Sequence, residues 1–113
     1  APRPHNSGHY TLDASLTSQF ENHVRAVCGL PLGSVDSTVE QAVMVNLLGD
    51  GHGSGYPKGL SDVLAEPGAK MHLYGKTSKP GRKLGHLTLV GNGTDDLEER
   101  ALNLARKLTF KES

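Results

Sequence analysis

The sequence predicts a small α+β fold, with helices packed on one face of a short, mainly antiparallel sheet. Three observations predict it. The 113 residues allow one domain with one core and no more. Apolar residues change from helical spacing to short β-branched runs and back along the chain. The resulting order is loop, helix, strand, short helix, strand, strand, helix, and a hairpin-length loop joins the two successive strands.

The first element is a polar loop. Arg3-Pro4-His5-Asn6-Ser7-Gly8-His9 has no alternating apolar pattern, and Pro4 and Gly8 disfavour a helix. A helix follows from Thr17 to Cys28, where Phe20, Val24, Val27 and Cys28 share one face. Ser18 and Glu21 form a capping box, Gly29 suits the C-terminal cap and Pro31 blocks continuation. Cys28, on the apolar stripe, is expected in the core, and His23 at the solvent side.

The turn-rich Leu30 to Glu40 leads to Ala42-Val43-Met44-Val45-Asn46-Leu47-Leu48, a buried strand by its β-branched content. Asn46 is its one polar residue and needs a buried partner or a sheet edge. Gly49 to Gly59 is glycine-rich, but no Lys-Ser or Lys-Thr follows at phosphate-loop spacing, so no phosphate cradle is expected there. A short helix from about Leu60 to Ala65 stops at Pro67-Gly68. Strands are expected at Ala69–Tyr74 and Lys83–Val90. The last helix carries Leu97, Ala101, Leu104, Ala105 and Leu108 on one stripe, with Asp95, Asp96, Glu98 and Glu99 at its start and Arg106 and Lys107 near its end, as the helix dipole favours.

Composition narrows the function. Apolar residues make up 35% and aromatics 4%, so the core must be built from Leu, Val and Ala. Twelve Lys and Arg balance twelve Asp and Glu, which argues for no nucleic-acid and no membrane partner. A single cysteine excludes an internal disulfide and fits a reducing compartment. No apolar run is long enough for a membrane span, and no signal peptide opens the sequence, so a soluble cytoplasmic protein is expected. Asn92-Gly93-Thr94 matches a glycosylation pattern that such a location makes irrelevant.

Two segments carry candidate chemistry. In the opening loop, His5 and His9 have the spacing of a helical metal pair, but the loop is not helical and no third ligand is close. Ser7 and Asp13 lack the strand-turn-helix setting of a nucleophile. Anion recognition by Arg3, His5, Asn6 and Ser7 fits best, because guanidinium groups and turn amides match carboxylate and phosphate. The second segment is the hairpin, with Lys76, Lys79, Arg82 and Lys83 as cations and His86 as a possible fifth. A solvated turn would explain it alone, unless a second feature points to the same ligand. A phosphate is the natural guest of such a loop, and the lack of interleaved aromatics argues against single-stranded nucleic acid.

Ordered blocks across nearly the whole chain resemble one family. They are Ala1-Pro2-Arg3-Pro4-His5-Asn6-Ser7-Gly8-His9-Tyr10-Thr11, Thr17 to Val27, Gly29-Leu30-Pro31-Leu32-Gly33, Val43 to Gly49, His72-Leu73-Tyr74-Gly75-Lys76 and Pro80 to His86. Together they resemble 5-(carboxyamino)imidazole ribonucleotide synthase, the ATP-grasp ligase of purine biosynthesis. Leu12-Asp13-Ala14-Ser15 stands where the family pattern is Ile-Glu-Ala-Cys, a conservative departure.

The resemblance implies the C-terminal portion of an ATP-grasp enzyme, an ATP-dependent carbon–nitrogen ligase that carboxylates aminoimidazole ribonucleotide with bicarbonate through carboxyphosphate. It implies an active-site loop from the end of the ATP-grasp domain over residues 1–16 and a C-terminal α+β domain over 17–113. The N-terminal and ATP-grasp domains would be missing partners, with the family's magnesium-binding Asn-Glu pair just before Ala1. ATP and magnesium would serve the full-length enzyme, a homodimer. Neither they nor any other metal is expected to bind this chain, which alone should be inactive. By the resemblance, Arg3 and His5 are catalytic, and Arg3, His5, Asn6, Ser7, Lys76, Arg82 and Lys83 bind substrate. The alternative is a stand-alone binding module for a sugar phosphate or other small anion.

Overall fold

The computed structural model describes residues 3–49, 51, 57–91 and 96–108. The expectations for most of the glycine-rich segment after Gly49, for Asn92-Gly93-Thr94 and for Asp95 lie outside the described residues. A 3-10 turn over Asn6–Gly8 and a short helix α1 (Thr11–Ala14) come first, then α2 (Gln19–Val27) and β1 (Gln41–Leu48). They are followed by α3 (Leu60–Leu64), β2 (Ala69–Leu73), β3 (Lys83–Gly91) and α4 (Leu97–Arg106). Both early turns depart from the expected irregular loop. His5 explains the first: its ring accepts from the Ser7 N–H and caps one turn, which needs no apolar periodicity.

The sheet is antiparallel, in the order β1-β3-β2, so the last strand in sequence is the central one. Side-chain alternation divides β3 between two faces. Leu87 and Leu89, fully buried, join Val43, Val45 and Met71 beneath Val63 of α3 and Leu97, Ala101 and Leu104 of α4. Burying each leucine contributes about 1.5–3 kcal/mol. This is the expected layer of helices on one face. The other face carries Leu84, His86 and Thr88, also buried. There α1 lies against β3, so the helices do not all share one side.

The signals that end α2 are the ones its sequence holds. Ser18 accepts from the Glu21 N–H at 3.1 Å, capping the first turn. At the other end, Gly29 adopts a φ of 69°, which a side chain would resist. Its N–H reaches the Ala26 carbonyl and the Leu30 N–H reaches that of Arg25, closing a Schellman motif. The apolar stripe behaves differently from expectation. α2 buries no residue, Val24 and Val27 are 58% and 74% exposed, and Cys28 is exposed rather than in the core. Spacing and caps specify a helix, but they do not specify what covers it.

Candidate functional site

Three polar side chains line up across the sheet. Asn46 of β1 pairs with His86 of β3, which pairs with His72 of β2. Directly opposed residues point to the same face, here the one that carries Leu84 and Thr88. The N-terminal segment lies over this rung and meets each member. Asn6 Nδ2 donates to Asn46 Oδ1 at 2.9 Å, and His72 Nε2 donates to Asp13 Oδ2 at 2.7 Å. The His9 ring lies 5.4 Å from that of His86, which stacks on His72 at 4.7 Å. Asn46 thus has the partner its place in an apolar strand requires.

Gln19 holds the loop from the other side. Its Oε1 accepts from the His5 N–H, so its amide nitrogen is the group that donates to the His5 carbonyl and to His9 Nδ1, both at 2.8 Å. Gln19 sits so close over Gly8 that a Cβ there would lie 2.5 Å from Oε1. The Thr11 hydroxyl joins the two helix starts, donating to the Gly8 carbonyl and accepting from the Gln19 N–H.

These bonds fix the imidazole tautomers. His9 Nδ1 accepts from Gln19, and His5 Nδ1 accepts from the Ser7 N–H, so each carries its proton on Nε2. His86 Nδ1 lies 2.7 Å from the Tyr74 hydroxyl. Burial pushes the Tyr74 pKa up, so the phenol keeps its proton and donates it. Burial, helped by His72 and His9, pushes His86 down to about 4 against the opposing pull of Asp13. His9 is lowered too, by burial first and then by the charge of Lys83 and by His5 and His72. His86 is therefore a neutral donor on Nε2 and not the fifth cation of the hairpin. That Nε2 and the Thr88 hydroxyl are buried with no hydrogen-bond partner among the described residues.

The hairpin cations are placed unequally. Lys83 Nζ donates to Asn6 Oδ1 at 3.1 Å, joining the two segments that the sequence singled out. Arg82 donates to the Thr77 carbonyl within the hairpin, and Lys76 Nζ sits 5.6 Å from the centre of the Tyr74 ring. The hairpin tip is docked on the end of β1 by Gly49, which donates to the Arg82 carbonyl and accepts from the Gly81 N–H. Ser7 Oγ lies 3.0 Å from His5 Nδ1, and Arg3 is exposed. The sequence reading passed over Gln19, Tyr74 and His72 as site residues. Their signal is strand register and the reach of a side chain between elements, which no local motif records.

Asp13, His72 and His86 bring three potential metal ligands within 4.8 Å of one another. Their geometry is that of a hydrogen-bonded pair beside a stacked ring. Two ligands of one tetrahedral ion stand about 3.3 Å apart for bonds of about 2.0 Å, wider than the 2.7 Å between Asp13 and His72. The two rings are also only 20° from parallel, so their in-plane lone pairs run side by side instead of converging. Magnesium fits no better, since it prefers several oxygens and the carboxylate of this cluster is already tied to a histidine.

Comparison with known proteins shows the family and the fold. The family model for the phosphoribosylaminoimidazole carboxylase C-terminal domain matches residues 42–100, more than half of the chain. The ATP-grasp domain model matches residues 1–20. An N5-carboxyaminoimidazole ribonucleotide synthase from Synechococcus elongatus is 56% identical over 100 residues, which cover 87% of this chain and 25% of that protein. A phosphoribosylaminoimidazole carboxylase from Ogataea methanolica is 49% identical over 104 residues, covering 88% and 19%. The chain therefore spans a quarter or less of these curated relatives. Among solved structures, the N5-carboxyaminoimidazole ribonucleotide synthetase of Thermotoga maritima superposes with a TM-score of 0.87 at 48% identity, over 99% of this chain and 32% of that one.

Proposed function

The chain belongs to the phosphoribosylaminoimidazole carboxylase C-terminal domain family, and from that premise we propose that it forms the substrate-binding end of an ATP-dependent carbon–nitrogen ligase. The reaction would carboxylate aminoimidazole ribonucleotide with bicarbonate. A bicarbonate oxygen takes the terminal phosphoryl group of ATP, giving carboxyphosphate and ADP. The ribonucleotide's amino nitrogen then attacks the carboxyl carbon, loses a proton and expels phosphate.

One observation carries this reading: Lys83 Nζ on Asn6 Oδ1 links the donor-rich loop to the cationic hairpin. The reaction brings together two substrates that each carry an anionic group, and two cation- or donor-rich segments meet here. In the proposal Lys76, Arg82 and Lys83 hold the ribonucleotide's phosphate, Lys83 from the junction itself. Arg3 offsets charge on carboxyphosphate, the exposed His5 offers its Nε2–H, and Asn6 and Ser7 orient the substrate. ATP and its magnesium fall to other parts of the enzyme, since the carboxylate of this site is engaged by His72. The match of residues 1–20 to the ATP-grasp model supports assigning residues 1–16 to the end of that domain.

A chimaera tests the proposal. Residues 1–113 would replace the matching C-terminal portion of the Synechococcus elongatus relative. The chimaera should hydrolyse ATP only when both the ribonucleotide and bicarbonate are present, and this chain alone should hydrolyse none. A folded chimaera with no ribonucleotide-dependent hydrolysis would count against the assignment.

A further inference from the structure

We propose that Asn46 is a positioning residue of the anion site, fixing the Asn6 carboxamide so that its oxygen and not its nitrogen faces the Lys83 ammonium. The inference rests on the reading of Asn6 and Lys83 as ligand-binding groups given above.

A carboxamide has two orientations of nearly the same shape and opposite polarity. At Asn6 two bonds select one of them. Oδ1 accepts from Lys83 Nζ at 3.1 Å, and Nδ2 donates to Asn46 Oδ1 at 2.9 Å. Turning the amide over would aim an NH2 group at an ammonium and set two oxygens against each other. Asn46 is the anchored member of the pair, because β1 holds its backbone in register with His86, whereas Asn6 lies in a single 3-10 turn. Lys83 needs such guidance: it is exposed, and its flexible stem would otherwise sample many rotamers. Held on Asn6, its charge lies near enough to His9 to depress that imidazole. A polar residue in the apolar stretch of β1 thereby sets where a surface cation points.

The test uses the full chain with ribose 5-phosphate as the probe, followed by calorimetric titration. Asn46→Ala should weaken binding by about two- to twelvefold, the worth of one hydrogen bond. Repeated in a Lys83→Met background, Asn46→Ala should have no further effect, because the group it guides is gone. A purely structural role would lower affinity equally in both backgrounds. Unchanged binding by Asn46→Ala, or an equal loss in the Lys83→Met chain, would overturn the positioning role and leave the anion site standing. No binding by the unaltered chain would overturn both. Nuclear magnetic resonance of the unaltered chain gives a check that needs no variant. One Asn6 Nδ2 proton should exchange slowly, and fast exchange of both would overturn the inference.

Discussion

The Lys83 ammonium donates to the Asn6 side-chain oxygen across 77 positions of sequence. One residue opens the central strand and the other sits in the first described turn. The bond converts two separate polar segments into one surface. On the proposed function, Lys83→Met in the complete enzyme should raise the KM for the ribonucleotide by about tenfold or more, the worth of a charged hydrogen bond. Lys76→Ala should do the same, with kcat much less affected. Steady-state kinetics with varied ribonucleotide checks both, and an unchanged KM would remove either lysine from the phosphate site.

Acid should loosen the layer beneath that surface. His86 titrates near 4 in the folded chain against 6.5 when free, so the unfolded state binds the extra proton first. Its stabilising effect is full above about pH 6.5 and is lost as pH falls toward 4. The loss should reach about 2 kcal/mol by pH 5. His9 is shifted in the same direction and adds to it. Urea melts at pH 7 and pH 5 measure the difference. In His86→Gln most of it should vanish, and a slope that persists undiminished would place the titration at His9 instead.

Two substitutions should separate global from local stability. Leu87 is fully buried between the sheet and α4, and Leu87→Ala should cost about 2–5 kcal/mol. Ser18→Ala removes the cap of a helix that buries nothing, a loss of about 1 kcal/mol that should appear as faster amide exchange in α2. If Ser18→Ala lowered the global melt as much as Leu87→Ala, α2 would be more tightly coupled to the core than its exposure indicates.

Cys28 gives a direct probe of the same helix. It is exposed at the C-cap of α2, so a thiol reagent should label the folded chain as fast as a small thiol peptide. Slow labelling would mean that something covers this face in solution.

Features with a local cause are legible in the sequence. Ser18 and Gly29 cap α2 as expected, while the Glu21 carboxylate pairs with Arg25 instead of completing a capping box, and the β-branched run forms β1. The sequence also isolates Asn46 as a polar residue in need of a partner, and marks the loop and hairpin that Lys83 joins. It fails where the cause lies between elements. Cys28 was placed in the core because a stripe carries no label for its partner. His86 counts in the sequence as a possible fifth cation because its two-residue offset from Leu84 and Thr88 has meaning only once both faces of β3 are known to be covered. Asp13 looked idle until register brought His72 to the same face.

The strand order carries a consequence for how the protein forms during synthesis. β3 is the last of the described strands in chain order and the one with which both others pair. Until residues 83–91 have emerged, β1 and β2 have no edge to join, and the N-terminal turn has neither Lys83 nor His86 to settle on. Closure of that long loop costs entropy before its contacts offset it. The proposed binding surface thus forms only once β3 is present. A slip of one residue in a strand would send its member of the polar rung to the opposite face and leave the N-terminal segment without that anchor.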